Sequence, residues 1–258
     1  MRRAVGIIPA AGRGTRLRPF RYPKELFPIG YIHNSGKKDD FQLKVVCQYV
    51  IDCLIEASIH QAYVVMSDHK FEVVRFLSDG QEYGINLAYL YQREIDGLPF
   101  AVDCAYSWLT DEVSVLVLPD TILEPADSVC QALNYFYETE SDLLLGVFPT
   151  AHPEDLCAVE FDSKGRVIKL FDKDSTHKIM NTWGMAVWSM RFTEFLHQYL
   201  TNVGAQNNRE MSLSDIFSAA LQAGMKVLAF PVAKGKFWDI GKNSSLVKAR
   251  REFERLPL

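Results

Sequence analysis

The opening apolar run of the chain constrains its fold most. Residues 4–10 are apolar at every position, with two arginines before them and a glycine-containing turn after them. A strand that is apolar throughout, rather than at every second residue, is typical of a sheet that is covered on both faces. Since helices usually provide that cover, the run predicts an α/β fold.

Apolar strands and helical periods then alternate over the first 150 residues. The predicted strands are 62–67, 85–91, 113–118 and 142–148, and the predicted helices are 44–58, 101–109 and 126–138. This alternation predicts a mostly parallel, Rossmann-like sheet with right-handed crossovers, as the middle layer of a three-layer α/β/α sandwich.

The pattern changes after residue 150. Two short strands, 158–161 and 166–171, flank an Asp-Ser-Lys-Gly turn and predict a hairpin. The later predicted elements are strands at 182–189 and 227–232 and helices at 192–200, 212–223 and 244–254, and the polar segment 33–40 is predicted as a surface loop. We interpret 1–258 as a single domain with two sub-regions, a core in 1–150 and a smaller lobe with closing elements in 151–258.

Composition excludes several classes of protein. Hydrophobic residues make up 48% and charged residues 23%, which is typical of a folded domain rather than a disordered one. A net charge of -4 argues against binding a nucleic acid polymer. The five cysteines are odd in number and lack C-x-x-C spacing, so neither zinc nor a disulfide framework is expected. No apolar run reaches the length of a membrane span or of a secretory leader, so we expect a cytoplasmic protein without membrane contact.

The turn after the first strand carries the clearest chemistry. Gly12 and Gly14 allow successive backbone N–H groups to form an anion-binding nest, and Arg16 adds a guanidinium fork suited to phosphate oxygens. Lys24 supplies a second cation. The turn is not a Walker loop, and Leu17 stands where a dinucleotide fingerprint needs a third small residue. The glycines alone would equally fit a tight strand-to-helix turn, but the whole string predicts a phosphate site.

This string resembles the sugar-1-phosphate nucleotidyltransferases. The matching positions are Gly12, Gly14, Thr15, Arg16, Leu17, Pro19, Pro23 and Lys24. The opening and the Pro-Lys-Glu at 23–25 look like the bacterial UTP–glucose-1-phosphate uridylyltransferases, while the spacing of 79–80 and 83–87 looks like the glucose-1-phosphate thymidylyltransferases. The resemblance implies that a nucleoside monophosphate passes from UTP or dTTP to a sugar 1-phosphate, with release of pyrophosphate.

The resemblance also implies that 1–150 is the nucleotide-binding core and that 151–258 supplies a small sugar-binding sub-lobe with closing elements. It further implies roles for individual residues. The nucleotide-binding set is Ala10, Ala11, Gly12, Gly14, Thr15, Gln92, Gly97 and Asp120, within which Ala11, Gly12, Gln92 and Gly97 would surround a uracil or thymine base. Three cations form the catalytic set. Arg16 would neutralise the leaving pyrophosphate, Lys24 the α-phosphate and Lys173 the sugar phosphate.

Two acids are the candidate ligands of Mg²⁺. Asp120 follows a buried strand, and ligands bind outside the carboxyl ends of parallel strands. Asp239 lies in a Trp-Asp-Ile-Gly segment that resembles the late acidic segment of the family. Two carboxylates together with phosphate oxygens and water make a suitable shell for Mg²⁺. Each acid could instead serve only as a turn or cap residue.

The acceptor side departs from the family pattern. The family usually has Glu-Lys-Pro where this chain has Asp172, Lys173 and Asp174, and a glycine where it has Cys157. Phe100 adds a bulky apolar group after the base-binding segment. These changes imply an altered sugar pocket, with Cys157, Asp172 and Lys173 as substrate-binding residues. The Glu-Met-Ser-Leu-Ser-Asp string at 210–215 is interpreted as a helix N-cap.

Three alternatives stay open at this point. A CTP-dependent transferase acting on a non-sugar phosphate such as phosphocholine would keep the same turn, and so would a non-catalytic nucleotide-binding homologue. A dinucleotide-dependent oxidoreductase is disfavoured by Leu17. The sequence leaves open the identity of the sugar, the choice between UTP and dTTP, and whether the chain forms a homo-oligomer.

Overall fold

A seven-stranded sheet lies at the centre of the computed structural model, which describes residues 2–14, 17, 22–33, 41–203, 211–241 and 243–253. In chain order the elements are β1 (Ala4–Pro9), β2 (Pro28–His33), β3 (Phe41–Val45), α1 (Val46–Glu56), β4 (Gln61–Met66), α2 (Phe71–Leu77), β5 (Asn86–Tyr91), α3 (Leu98–Asp103), β6 (Val113–Val117), β7 (Thr121–Glu124), α4 (Ser128–Thr139), β8 (Leu143–Pro149), β9 (Cys157–Phe161), β10 (Val167–Asp172), β11 (Asn181–Trp188), α5 (Met190–Val203), α6 (Leu213–Gln222), β12 (Val227–Pro231), β13 (Lys236–Asp239) and α7 (Asn243–Phe253).

The sheet is mostly parallel, as the alternating pattern predicted. Its spatial order is β12-β8-β11-β6-β1-β4-β5. Only β11 runs antiparallel to its neighbours β6 and β8, and the other adjacent pairs of this sheet are parallel. Two strands from the second half of the chain, β11 and β12, therefore belong to the main sheet.

Both faces of the sheet are covered by helices, which confirms the three-layer arrangement. Side chains of β1 alternate between two cores: Val5 and Ile7 pack into one, and Ile8 into the other. Helices α3, α5 and α6 contribute to the first core, and α1, α2 and α4 to the second. This double burial explains why β1 is apolar at every position.

Three two-stranded ladders lie outside the main sheet. The β9–β10 ladder is the predicted hairpin, and its turn is closed by the Asp162 N–H donating to the carbonyl of Arg166 at 2.9 Å. The β2–β3 and β7–β13 ladders were not predicted from the sequence. Of the predicted loop at 33–40, His33 ends β2 and the remainder falls outside the described residues.

The helix predicted at 101–109 is shifted. Helix α3 begins at Leu98 and ends at Asp103, and a separate 3-10 turn covers Tyr106–Trp108. Gly97 precedes the helix with a φ of 114°, and Pro99 follows at a position where its missing N–H costs nothing.

The predicted N-cap near the start of α6 is confirmed, because Ser212 and Asp215 form a capping box there. Within the described ranges, no helix is both long and apolar enough to cross a membrane.

Candidate active site

The glycine turn, residues 10–14, directly follows the carboxyl end of β1. Ala10 N–H donates to the carbonyl of Val65 at 2.7 Å, which ties the start of the turn to β4. The buried hydroxyl of Ser67 donates to the carbonyl of Ala11 at 3.0 Å. The backbone at 10–11 is therefore held from below by two groups at the carboxyl end of β4.

The rest of this turn presents open backbone. Among the described atoms, none lies within 4 Å of where a Cβ would stand on Gly12 or Gly14. Gly14 has a φ of 63°, a conformation that favours glycine. Leu17 is buried, and its N–H donates to the carbonyl of Gly14 at 3.3 Å. Thr15 and Arg16, both predicted to contact phosphate, lie outside the described residues.

Lys24 and Asp120 are brought together by the fold. The Nζ of Lys24 donates to Oδ2 of Asp120, which is 96 residues further along the chain. Their side chains are only 15% and 11% exposed. Lys24 begins the 3-10 turn Lys24–Leu26, and Asp120 follows the end of β6. A carboxylate and an ammonium that are partly shielded from water interact more strongly than a surface pair does.

Asp239 reaches the same place through the β7–β13 ladder. It lies opposite Thr121, and the N–H of Ile240 donates to the backbone carbonyl of Asp120 at 2.9 Å. One carboxylate oxygen of Asp239 accepts from the N–H of Gly241 at 2.8 Å. We call Lys24, Asp120 and Asp239, with the glycine turn at 10–14, the carboxyl-edge cluster.

The donor set of this cluster fits a divalent cation that is shared with a substrate. No group of three or more His, Cys, Asp or Glu side chains that could hold a metal occurs in the described part of the chain. Asp120 lies just before β7, and Asp239 ends β13, the strand that pairs with β7, so the pair offers two carboxylates. Mg²⁺ is usually bound in this way, by one or two carboxylates plus substrate phosphates and water.

Two of the four residues predicted to surround the base, Gln92 and Gly97, lie next to each other. Gln92 follows β5 and is buried, and its backbone N–H donates to the carbonyl of Met66 at 2.8 Å. Its side-chain Nε2 lies 3.5 Å from the carbonyl of Gly97, at the outer limit of a hydrogen bond. Phe100, in the first turn of α3, packs against the hydrophobic core.

The predicted acceptor residues gather on the β9–β10 hairpin. Asp172 lies directly opposite Cys157 in the ladder. Lys173 has a φ of 51°, and its N–H donates to the carbonyl of Leu156 at 2.7 Å, while its side chain is exposed. The end of the hairpin therefore holds an aspartate opposite a cysteine, with a lysine next to the aspartate in the chain.

Cys157 is a buried neutral thiol. It is 5% exposed, and burial raises the pKa of its thiol to about 12, an effect that hydrogen bonds with Ser214 and Trp183 partly offset. The indole N–H of Trp183 also donates to the hydroxyl of Ser214 at 3.4 Å. Cys157 therefore contributes shape rather than charge to this side of the molecule.

Sequence reasoning missed two kinds of residue. Ser67 holds the glycine turn, yet a single serine after a strand carries no motif. Glu25, which follows Lys24 in the chain, forms a buried ion pair with Lys70, with Nζ–O distances of 2.9 and 2.7 Å. The Pro-Lys-Glu string at 23–25 predicted a chemical role for Lys24 but none for Glu25, and only the fold shows that Glu25 pairs with Lys70.

Comparisons with known proteins identify the family of this chain. A model of the family described as nucleotidyl transferase matches residues 5–255. A glucose-1-phosphate thymidylyltransferase from Xanthomonas campestris is 26% identical over 263 residues, covering 100% of this chain and 83% of that protein. A low-salt glycan biosynthesis nucleotidyltransferase from Haloferax volcanii is 26% identical over 251 residues. That match covers 95% of this chain but only 65% of the length of the relative.

Solved structures share the fold. A crystal structure named as a glucose-1-phosphate thymidylyltransferase from Bacillus anthracis, in complex with sucrose, superposes with a TM-score of 0.82 at 20% identity and covers 99% of this chain and 97% of that one. A UDP-glucose pyrophosphorylase complexed with UDP-glucose gives 0.79 at 17% identity and covers 99% of each chain. At such identities these two structures establish the fold alone. Because the family match spans nearly the whole sequence, the chain belongs to the nucleotidyl transferase family, as its resemblance to the sugar-1-phosphate nucleotidyltransferases predicted.

Proposed function

We propose that this protein transfers a nucleoside monophosphate from UTP or dTTP to a sugar 1-phosphate, giving a nucleoside diphosphate sugar and pyrophosphate. The observation that carries the proposal is the carboxyl-edge cluster. Lys24 bonds Asp120, and the β7–β13 ladder brings Asp239 next to that acid. The strand before Asp120, β6, is the parallel neighbour of β1, which leads into the glycine turn. Relatives named as thymidylyltransferases support the choice of a pyrimidine nucleotide and a sugar phosphate.

The reaction needs positioning and charge stabilisation rather than a protein nucleophile. A phosphate oxygen of the sugar 1-phosphate attacks the α-phosphorus in line, one P–O bond forms, and the bond to pyrophosphate breaks. Negative charge is redistributed over the transferring and leaving groups. Cations and backbone N–H groups that are fixed in advance around these oxygens lower the barrier.

Residues 1–150 would hold the nucleotide. In this proposal the base lies against Ala11, Gly12, Gln92 and Gly97, and the phosphates lie over Ala10, Gly14 and Thr15. Arg16 neutralises the leaving pyrophosphate, and Lys24 neutralises the α-phosphate. The open backbone at Gly12 and Gly14 supports this arrangement, because a phosphate can approach the N–H groups there.

Asp120 and Asp239 would hold Mg²⁺ next to the α-phosphate. When bound, the ion would neutralise charge on the phosphate oxygens. Lys24 already donates to Asp120, so the ammonium and the Mg²⁺ site share one carboxylate. That sharing keeps the lysine beside the oxygens on which charge develops.

Residues 151–258 would supply the acceptor side. Lys173 would bind the sugar phosphate, and Asp172 would accept hydrogen bonds from sugar hydroxyls. The buried thiol of Cys157 narrows the pocket next to Asp172. All five cysteines are free, which supports a cytoplasmic setting in which thiols stay reduced.

A pyrophosphate-release screen tests the proposed reaction. Each of UTP, dTTP and CTP is combined with a panel of sugar 1-phosphates, and with phosphocholine, in the presence of Mg²⁺. We expect turnover with UTP or dTTP and one sugar 1-phosphate. Turnover with CTP and phosphocholine would overturn the sugar assignment, and nucleotide binding without pyrophosphate release from any pair would indicate a non-catalytic homologue.

Asp120→Asn provides the internal control of that screen. We expect it to lower kcat by roughly 10²–10³, the effect typical of removing one charge-stabilising group. The matched surface variant is Asp111→Asn, which changes an exposed aspartate that pairs only with Arg2 at 3.1 Å among the described residues. Its kcat should equal that of the wild type. If Asp120→Asn also keeps the wild-type rate, the metal-site assignment is wrong.

A further inference from the structure

Glu25 and Lys70 form an ion pair that is almost wholly removed from water. Lys70 Nζ donates to both carboxylate oxygens of Glu25, at 2.9 and 2.7 Å, and the side chains are 4% and 1% exposed. Neither residue has a role in the reaction as described above. Burying two charges is costly, and apolar residues of similar size often stabilise a protein as well as a buried pair does. Stability alone is therefore a weak explanation for this pair.

The position of Glu25 offers a better explanation. Glu25 follows Lys24 within the three-residue 3-10 turn Lys24–Leu26. Two hydrogen bonds close this turn: Leu26 N–H to the Pro23 carbonyl at 3.0 Å, and Phe27 N–H to the Lys24 carbonyl at 3.1 Å. In so short a turn, fixing the Glu25 side chain also fixes the backbone from which Lys24 extends.

The position of Lys70 connects that turn to the glycine turn. Lys70 ends the 3-10 turn Asp68–Lys70, and its N–H donates to the carbonyl of Ser67 at 3.1 Å. The hydroxyl of the same Ser67 holds the carbonyl of Ala11. One buried ion pair thus joins the segment that carries Lys24 to the segment that supports the glycine turn.

We infer that Glu25 and Lys70 are positioning residues, which set the location of Lys24 relative to Asp120 and the glycine turn for phosphate transfer. This inference rests on the proposed function. Lysine has a flexible stem, so the position of the Lys24 ammonium group depends on the backbone from which it extends as well as on its bond to Asp120. A displacement of about 1 Å in a reacting group can lower a rate by about 10²-fold.

The main test is a double-mutant cycle with a neutral replacement of the pair. Glu25→Leu/Lys70→Met removes both charges without leaving one unpaired, so the chain should still fold. We expect its kcat to fall by about 10–100-fold, with the KM for nucleotide changed by less than about threefold. Lys24→Ala should lower the wild-type kcat by roughly 10²–10³, but by less than about tenfold in the Leu/Met background.

The alternatives to the inference give different results. A folded Leu/Met variant with wild-type kcat, or a full Lys24→Ala effect in that background, would show that the pair does not position Lys24. If Lys24→Ala has no effect in the wild-type chain, the failure belongs to the proposed function instead. Arg191→Met removes the ion pair of Asp142, at 2.9 Å, and leaves the cluster intact, so its kcat and its Lys24→Ala effect should match wild type.

A conservative variant covers the case in which the Leu/Met chain does not fold. Glu25→Asp keeps both charges but shortens the carboxylate by one methylene, which would draw the Lys24 turn toward Lys70. We expect about a tenfold lower kcat with a folded circular dichroism spectrum. A wild-type kcat in Glu25→Asp, or failure of both variants to fold, would make the pair a requirement for folding only and overturn its positioning role.

Discussion

The carboxyl-edge cluster and the β9–β10 hairpin both combine a lysine with an aspartate, but they hold them differently. In the cluster, Lys24 and Asp120 are 96 residues apart, mostly buried and bonded to each other. In the hairpin, Asp172 and Lys173 are neighbours in sequence, and the lysine side chain is exposed. A phosphate-transfer centre needs fixed charges, whereas a pocket that selects a sugar can change with a few local residues. Under the proposed function, we therefore infer that the carboxyl-edge cluster carries the chemistry and the hairpin carries the specificity for the sugar.

Removing each lysine in turn should produce the largest difference in kinetics between the two regions. Lys24→Met should lower kcat by roughly 10²–10³, because a partly buried cation beside the reacting phosphate stabilises charge that develops in the transition state. Lys173→Met should raise the KM for the sugar 1-phosphate by about tenfold or less, because an exposed cation contributes only about 1 kcal/mol. Steady-state kinetics with both substrates varied separates the two effects. A larger loss of kcat in Lys173→Met than in Lys24→Met would reverse the assignment.

The contrast also explains how much could be predicted from the sequence. Strands β1, β4 and β6 were predicted because each is buried on both faces and therefore apolar throughout. Their carboxyl ends placed the glycine turn and Asp120 at one edge of the sheet. The hairpin was predicted from its local Asp-Ser-Lys-Gly turn.

The missed features depend on contacts between distant residues. Strands β7 and β13 have four residues each and pair across more than 100 positions, so neither has a periodic pattern of its own. That ladder is what brings Asp239 to Asp120. The partner of Glu25, Lys70, lies 45 residues further on, after an unrelated strand. Local patterns in the sequence carry no information about such pairings.

Lengthening one carboxylate of the hairpin tests whether this region sets the preference for the sugar. Asp172→Glu extends the acid by one methylene and should lower the KM for glucose 1-phosphate by about tenfold, the effect of one hydrogen bond to a charged group. Its kcat with the preferred acceptor should change by less than about threefold. Asp174→Glu is the control, because its carboxylate accepts from the N–H of Thr176 at 2.8 Å and should leave acceptor preference unchanged. Equal shifts of this KM in the two variants would show that Asp172 does not contact the sugar.

The smallest expected effect concerns the buried thiol of the hairpin. With a pKa of about 12, Cys157 exposes very little thiolate at pH 8, so iodoacetamide should not modify it in the folded protein. Because the folded state favours the neutral thiol, Cys157 contributes to the free energy of unfolding at neutral pH. That contribution decreases as pH rises from 9.0 toward 12. Mass spectrometry should detect label first on the half-buried Cys104 or Cys130, with transferase activity retained. Cys157→Ala is the matched control: if alkylation inactivates the wild type but spares this variant, Cys157 is accessible and the hairpin is more open than the structure indicates.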